Sequence, residues 1–237
     1  MAIRRVLMGF NGASWLAGSS KRSAWVLGVM AAGCGSAAPP PEASPAPPRA
    51  VVTPAPVEPE VQALPAQDFG EVTGLGSPLV VSVPDVGRWE RAAAPATSEW
   101  LSLNHAPSRS SLELRVWRGG RRARPEDCAE QLGLWRRHVA ELGEDERVSS
   151  ERMELPHGFD AQLSVFVRAL GTEEVEGHLI AVGARPARCL AVVFRSVASG
   201  QAASRQVAER LRLVADVVLP SIELRSVEDR ATREPPR

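Results

Sequence analysis

His105 stands in the stretch NHAPSRSS with Ser108, Ser110 and Ser111 close behind it, and a nearby carboxylate would complete the residue types of a nucleophilic hydrolase. His157 offers a second starting point for the same His/Ser or His/acid chemistry. No G-x-S-x-G elbow accompanies either histidine, and neighbouring residues of one loop seldom converge into a triad, so the serines read first as turn formers. The four histidines, His105, His138, His157 and His178, fall on a loop, a helix, a turn and a strand, with no H-E-x-x-H and no pair at metal-ligand spacing. Neither a metal nor a cofactor is expected.

A second constellation is basic. RGGRRARPED, residues 118–127, sets Arg118, Arg121, Arg122 and Arg124 around Gly119 and Gly120 just before a helix start. It imitates a phosphate-cradling loop but lacks the G-K-[ST] ending, and Glu126 and Asp127 place two acids in the first helical turn. Those acids suit the positive end of the helix dipole better than a catalytic carboxylate pair. The expected reading is a solvated arginine loop partly neutralised by its own acids, with contact to anionic headgroups or an envelope polyanion as the alternative.

The third kind of chemistry is cysteine chemistry. The run Ser23–Gly33 is apolar for about eleven residues, too short for a permanent span and the right length for a secretory signal core. Lys21 and Arg22 precede it, small residues Ala31, Ala32 and Gly33 close it, and Cys34 follows. Through Ala32-Gly33-Cys34 the N-terminus resembles bacterial lipoprotein precursors, with Ala31 where leucine is more usual. The resemblance implies a signal peptide over 1–33, a diacylglyceryl thioether on Cys34 and an acylated amine after cleavage. Several acyl chains anchor a protein as one alone does not. The alternative is an unmodified Cys34 in a leader that is uncleaved or cut elsewhere, for instance after Ala38, which would release a secreted protein. Arg4-Arg5 and the apolar patch Val6–Leu16 read as an early start codon or as a twin-arginine signal.

Removing the leader takes away Arg4, Arg5, Lys21 and Arg22 and leaves 24 cations against the 28 acids of a chain that is neutral as a whole. A mildly acidic mature protein argues against nucleic acid as partner. Residues 34–66 form the expected lipidated N-terminus and tether. From Gly35 to Ala66 the chain holds half of its 20 prolines, a composition that cannot bury enough apolar surface to offset its ordering entropy. A stiff, extended, solvated segment results.

A domain over 67–222 follows, long enough for one good core. LVVSV (79–83) reads as a buried strand closed by Pro84-Asp85. WLSLNH (100–105) and LELRVW (112–117) alternate, with Leu101, Leu103, Leu112, Leu114 and Val116 on one face. Pro125 opens a helix whose stripe Cys128, Leu132, Trp135, Val139, Leu142 ends at Gly143. Strands are expected at 148–155, 159–170, 175–184 and 188–197, the first two joined by the Pro156-His157-Gly158 turn. A last helix over 200–219 buries Val207, Leu211, Val214 and Val218 and stops at Pro220. Residues 223–237 read as a charged, frayed tail.

This order predicts an α+β class, an antiparallel sheet packed by two main helices. Through VVSVPDVGRW, the pair WLSLNH and LELRVW, the helix start PEDC, and the closing RCLAVVFRS with VAERLRLVADVVL, residues 68–222 resemble the PsbP-like family and the related DcrB-like envelope lipoproteins. The resemblance implies an α/β/α sandwich in an exported assembly, stabilising or binding module, and it brings no site residues. Cys128 and Cys189 remain; in an oxidising compartment a disulfide between helix and sheet is expected, the alternative being two buried thiols. The expected protein is an envelope lipoprotein, held to the membrane, outer more than inner, by the lipid on Cys34, non-enzymatic, with a protein partner in the envelope. Its rivals are the hydrolase above and a structural subunit that docks through an apolar face carrying Trp100 and Trp117.

Overall fold

Two segments, HLIAVGA and CLAVVF, are apolar on both sides of the pleat, which demands cover on both faces of the sheet they build. They lie in β8 (Glu174–Arg185) and β9 (Arg188–Ser199), neighbours in the middle of a seven-stranded antiparallel sheet. The computed structural model describes residues 64–73, 78–92 and 99–225. The sheet also contains β3 (Trp89–Arg91), β4 (Leu101–His105), β5 (Ser110–Arg118), β6 (Arg147–Leu155) and β7 (Phe159–Ala169). Its order is β3-β4-β5-β9-β8-β7-β6: two meanders joined where β9 lies against β5, from Ser110 opposite Ser196 to Arg118 opposite Arg188. A smaller antiparallel sheet, β1 (Gly70–Thr73), β2 (Leu79–Val83) and β10 (Glu223–Leu224), completes the described strands. The class is α+β.

One face of the large sheet, with Leu103, Leu112, Leu114, Leu163, Val165, Leu179, Val192 and Phe194, shares a core with β2 and with α3 (Ala203–Leu213), which packs on β8 and β9. Val207, Leu211, Val214 and Val218 pack there, the stripe expected of the last helix. Gly177 is needed at this contact: a Cβ on it would lie 2.3 Å from Cγ1 of Val207. The other face presents Ile180, Val182, Ala184, Cys189, Ala191 and Val193 to α1 (Pro125–Trp135). α1 starts with Pro125 in its first turn, and the Asp127 carboxylate accepts the Arg124 backbone N–H at 3.1 Å. Among the described residues no helix is long and apolar enough to cross a membrane.

Four expectations are corrected. The first helix is not continuous to Leu142: at Arg136 the backbone leaves the helical region (φ −127°, ψ 78°) and α2 (Arg137–Ala140) restarts it. The break lets the Arg136 guanidinium reach Glu113 at 2.5 Å and lie over Trp100 at 4.0 Å, so the chain bends round the sheet. The last helix begins at Ala203, widens to a π turn over Val214–Val218 and ends in a 3-10 turn, Leu219–Ser221, around Pro220. Leu64, inside the expected tether, is buried in the main core. The expected tail does not begin at Glu223, because β10 pairs with β2 and Arg225 bonds Glu71 at 2.8 Å. The signal peptide, Cys34, the tether before Leu64 and residues 226–237 lie outside the described residues.

Candidate functional site

The β2–β3 turn places Asp85 in the left-handed region (φ 51°), at the same end of the sheet as His105, the last residue of β4. Nε2 of His105 lies 3.0 Å from Oδ2 of Asp85, and Nδ1 lies 2.7 Å from Oγ of Ser108. The Ser108 backbone N–H also points at Nδ1 (3.3 Å), which makes Nε2 the protonated nitrogen facing the carboxylate. An acid, a histidine and a serine are thus within hydrogen-bond reach of one another, the residue types of a triad.

The chain of contacts continues inward. Ser108 Oγ is 2.9 Å from Ser110 Oγ, which is 2.9 Å from Ser196 Oγ on β9. Nη1 of Arg210 on α3 donates to Ser196 Oγ (3.0 Å) and to the carbonyls of Ser108 (2.9 Å) and Val197 (3.0 Å). An obligate acceptor, Asp85, closes one end and an obligate donor, Arg210, the other. His105, Ser108 and Ser196 are each 0% exposed and Arg210 2%. A nucleophile needs an open approach for its substrate, whereas this serine is sealed and already bonded. The chain of contacts satisfies buried polar groups of a strand hairpin, a neighbouring strand, a helix and a turn.

A second buried polar group lies on the α1 face. Glu176 is 0% exposed; burial acts to raise its carboxyl, but hydrogen bonds from Arg195 and Arg168, with the nearby His178, outweigh this and hold it below the ordinary value. His178 is itself buried, which lowers its imidazole, with Glu176 opposing the shift. Its Nε2 is 3.4 Å from the Glu176 carboxylate without hydrogen-bond alignment, and neither ring nitrogen has a hydrogen-bond partner among the described residues.

Cys128 and Cys189 form a disulfide with Cα atoms 5.8 Å apart, tying α1 to the start of β9. Beside it, the Gly119 N–H donates to Ala187 O at 3.1 Å and the Ala187 N–H to Gly120 O at 3.2 Å, so the arginine loop is bonded to the β8–β9 turn. Arg118, Arg121, Arg122 and Arg124 are all exposed. None of the four guanidinium groups is within ion-pair distance of an acid among the described residues. Glu126 pairs with Arg152 at 2.9 Å, and Asp127 holds the Arg124 backbone N–H, not its guanidinium.

The remaining candidates do not assemble. His138 lies on α2, apart from the His105 chain, and His157 accepts the Leu224 backbone N–H at 3.0 Å from a left-handed turn position (φ 64°). Ser111 faces away from His105, next to Ser110 on β5. No cluster of three or more metal-ligating side chains occurs among the described residues. Trp100 and Trp117 do not form an exposed apolar face. Trp135 packs edge-on to both, at 6.4 and 5.0 Å, and the Arg115 guanidinium lies 3.8 Å from the Trp135 ring centre. The contribution of Asp85 was invisible in the sequence; its only signal is an acid inside a Pro-Asp turn, which is common in turns of every kind.

No family model and no curated protein matches this chain. Among solved structures, a protein from Bacteroides thetaiotaomicron VPI-5482 is similar at 9% identity with a TM-score of 0.41, over 67% of this chain and 49% of that one. This chain therefore spans about half the length of that protein. At this level the likeness assigns neither a family nor a function.

Proposed function

We propose that this protein is an envelope lipoprotein, anchored through acyl chains on Cys34, whose PsbP-like α/β/α domain serves as a non-enzymatic binding or assembly module. The observation that carries the address is Lys21-Arg22 followed by a short apolar run that ends in Ala32-Gly33-Cys34. The Cys128–Cys189 disulfide fits an oxidising compartment. The non-enzymatic half is supported by the burial of Ser108 and His105 inside a continuous hydrogen-bond chain. The test is mass spectrometry of the protein extracted from envelopes: a mature N-terminus at Cys34 carrying a diacylglyceryl thioether and an N-acyl group is expected. An unmodified Cys34 still joined to Gly33 overturns the proposal.

One observation favours the hydrolase reading, the approach of His105 to both Asp85 and Ser108. An active-site fluorophosphonate probe distinguishes the two. No label at Ser108 is expected, and stoichiometric labelling lost in S108A establishes the enzyme instead.

A further inference from the structure

Several arginines of the described residues have a carboxylate within reach: Arg109 with Glu174, Arg115 with Glu99, Arg152 with Glu126, Arg212 with Asp216, Arg225 with Glu71. At one end of the sheet arginines without such a partner are gathered together. There Arg118 on β5 stands opposite Arg188 on β9, and Arg188 stands opposite Arg185 on β8. The Gly119–Ala187 and Ala187–Gly120 backbone bonds draw Arg121, Arg122 and Arg124 into the same surface. Among the described residues none of these six arginines makes an ion pair; Arg185 donates to the His157 carbonyl and lies over the Phe159 ring. Like charges set directly opposite in a sheet destabilise it. Six of them gathered without an ion-pair partner suit an external anion.

We infer that this arginine end is a docking surface for the phosphate headgroups of an anionic phospholipid bilayer. Guanidinium groups bind phosphate bidentately, and an array spread over a loop and a hairpin matches many phosphates better than one small anion. The large exposed apolar side chains of the described residues are Phe69, Leu134 and Leu170, none of them in the arginine loop or the β8–β9 turn. Contact is therefore electrostatic, at headgroup depth. A lipid surface fits better than nucleic acid because the aromatic rings beside these arginines are engaged within the protein, Phe159 fully buried and Trp117 packed on Trp135, and the mature chain is acidic. The inference rests on the envelope reading for the presence of that bilayer. Geometry permits it: β8 has twelve residues, about 40 Å of strand. The covalent chain from Cys34 to Leu64 reaches about 100 Å at full extension. The arginine end is therefore within reach of the anchoring membrane even though Gln67 and Asp68 bond to the Asp85–Val86 turn at the opposite end of the sheet.

The test uses the full chain with Cys34→Ser, so that no acyl chain contributes. Co-sedimentation is measured with vesicles of phosphatidylcholine alone and with added phosphatidylglycerol, at low and at physiological salt. Binding is expected only to the anionic vesicles, weakening as salt rises. R121Q/R122Q is expected to lower the partition coefficient about 25-fold, at roughly fivefold per arginine near such a surface. R137Q/R205Q, which removes equal charge from two exposed arginines elsewhere, is expected to leave it unchanged. Equal loss in both pairs, no binding to anionic vesicles, or tighter binding to duplex DNA or to RNA overturns the inference. An unacylated Cys34 in the native protein sinks the proposed function without altering the vesicle result, so the two failures are distinct.

Discussion

His105 and Asp85, twenty residues apart in the chain, meet at 3.0 Å because β3 pairs with β4 and brings Trp89 opposite His105. The Trp89 ring packs on the imidazole at 5.1 Å, and its indole N–H donates to the Pro84 carbonyl at 2.7 Å, fixing the turn that carries Asp85. The acid is thus held by the strand pairing it helps to stabilise. If the chain of contacts is structural, S108A leaves His105 and Ser110 each short of a partner and lowers the unfolding free energy by about 1–3 kcal/mol. Urea denaturation of S108A against the parent chain checks this, and an unchanged midpoint refutes it.

The disulfide closes a long loop, with Cys128 and Cys189 61 residues apart in the chain. On the chain-entropy account it contributes about 4 kcal/mol, a large part of a domain's typical margin. C128S/C189S is expected to unfold at markedly lower denaturant. The fully buried position of Cys128 predicts that mild reductant leaves the native protein oxidised until it opens. Free-thiol titration with and without denaturant measures this directly.

Stability is expected to fall as the medium acidifies, in two stages with separate owners. His178, lowered by its burial, stays neutral in the fold while the unfolded chain takes up a proton below about pH 6.5. Stability is therefore lost as pH falls from there toward the lower folded value. The groups facing this imidazole are Glu176, Arg168 and Arg195. Glu176, held low by the two arginines against the effect of its burial, contributes stability above about pH 4.3 that is lost as pH falls through its depressed folded value. Denaturation midpoints across pH 8 to 5 in H178Q check the first stage: the slope near pH 6 flattens, and a slope identical to the parent's rules the assignment out.

What residue order determined on its own was everything with a short period. Alternation in WLSLNH and LELRVW produced β4 and β5 with Leu101, Leu103, Leu112 and Leu114 buried together, and the stripe Val207, Leu211, Val214, Val218 produced the cover of that face. The α+β class and the helix start at Pro125 were legible for the same reason: side-chain direction repeats every two residues or every 3.6, so one element reports its own buried side. Where a helix breaks was not legible. The turn at Arg136 depends on Glu113 and Trp100, which lie on other elements. Neither was β10, two residues whose pairing with β2 is won by a partner more than a hundred positions away.

The site depended on tertiary structure for a sharper reason. His105 and its serines were visible as residue types, but Asp85, Ser196 and Arg210 join them only because the strand order sets β9 beside β5 and lays α3 against β8 and β9. The arginines of residues 118–124 were likewise legible as a charged loop expected to be balanced by Glu126 and Asp127. The fold sent Glu126 to Arg152, engaged Asp127 with a backbone amide, and added Arg185 and Arg188 from a hairpin sixty residues on. Charge at a surface is a sum over neighbours in space, and sequence lists neighbours only along the chain.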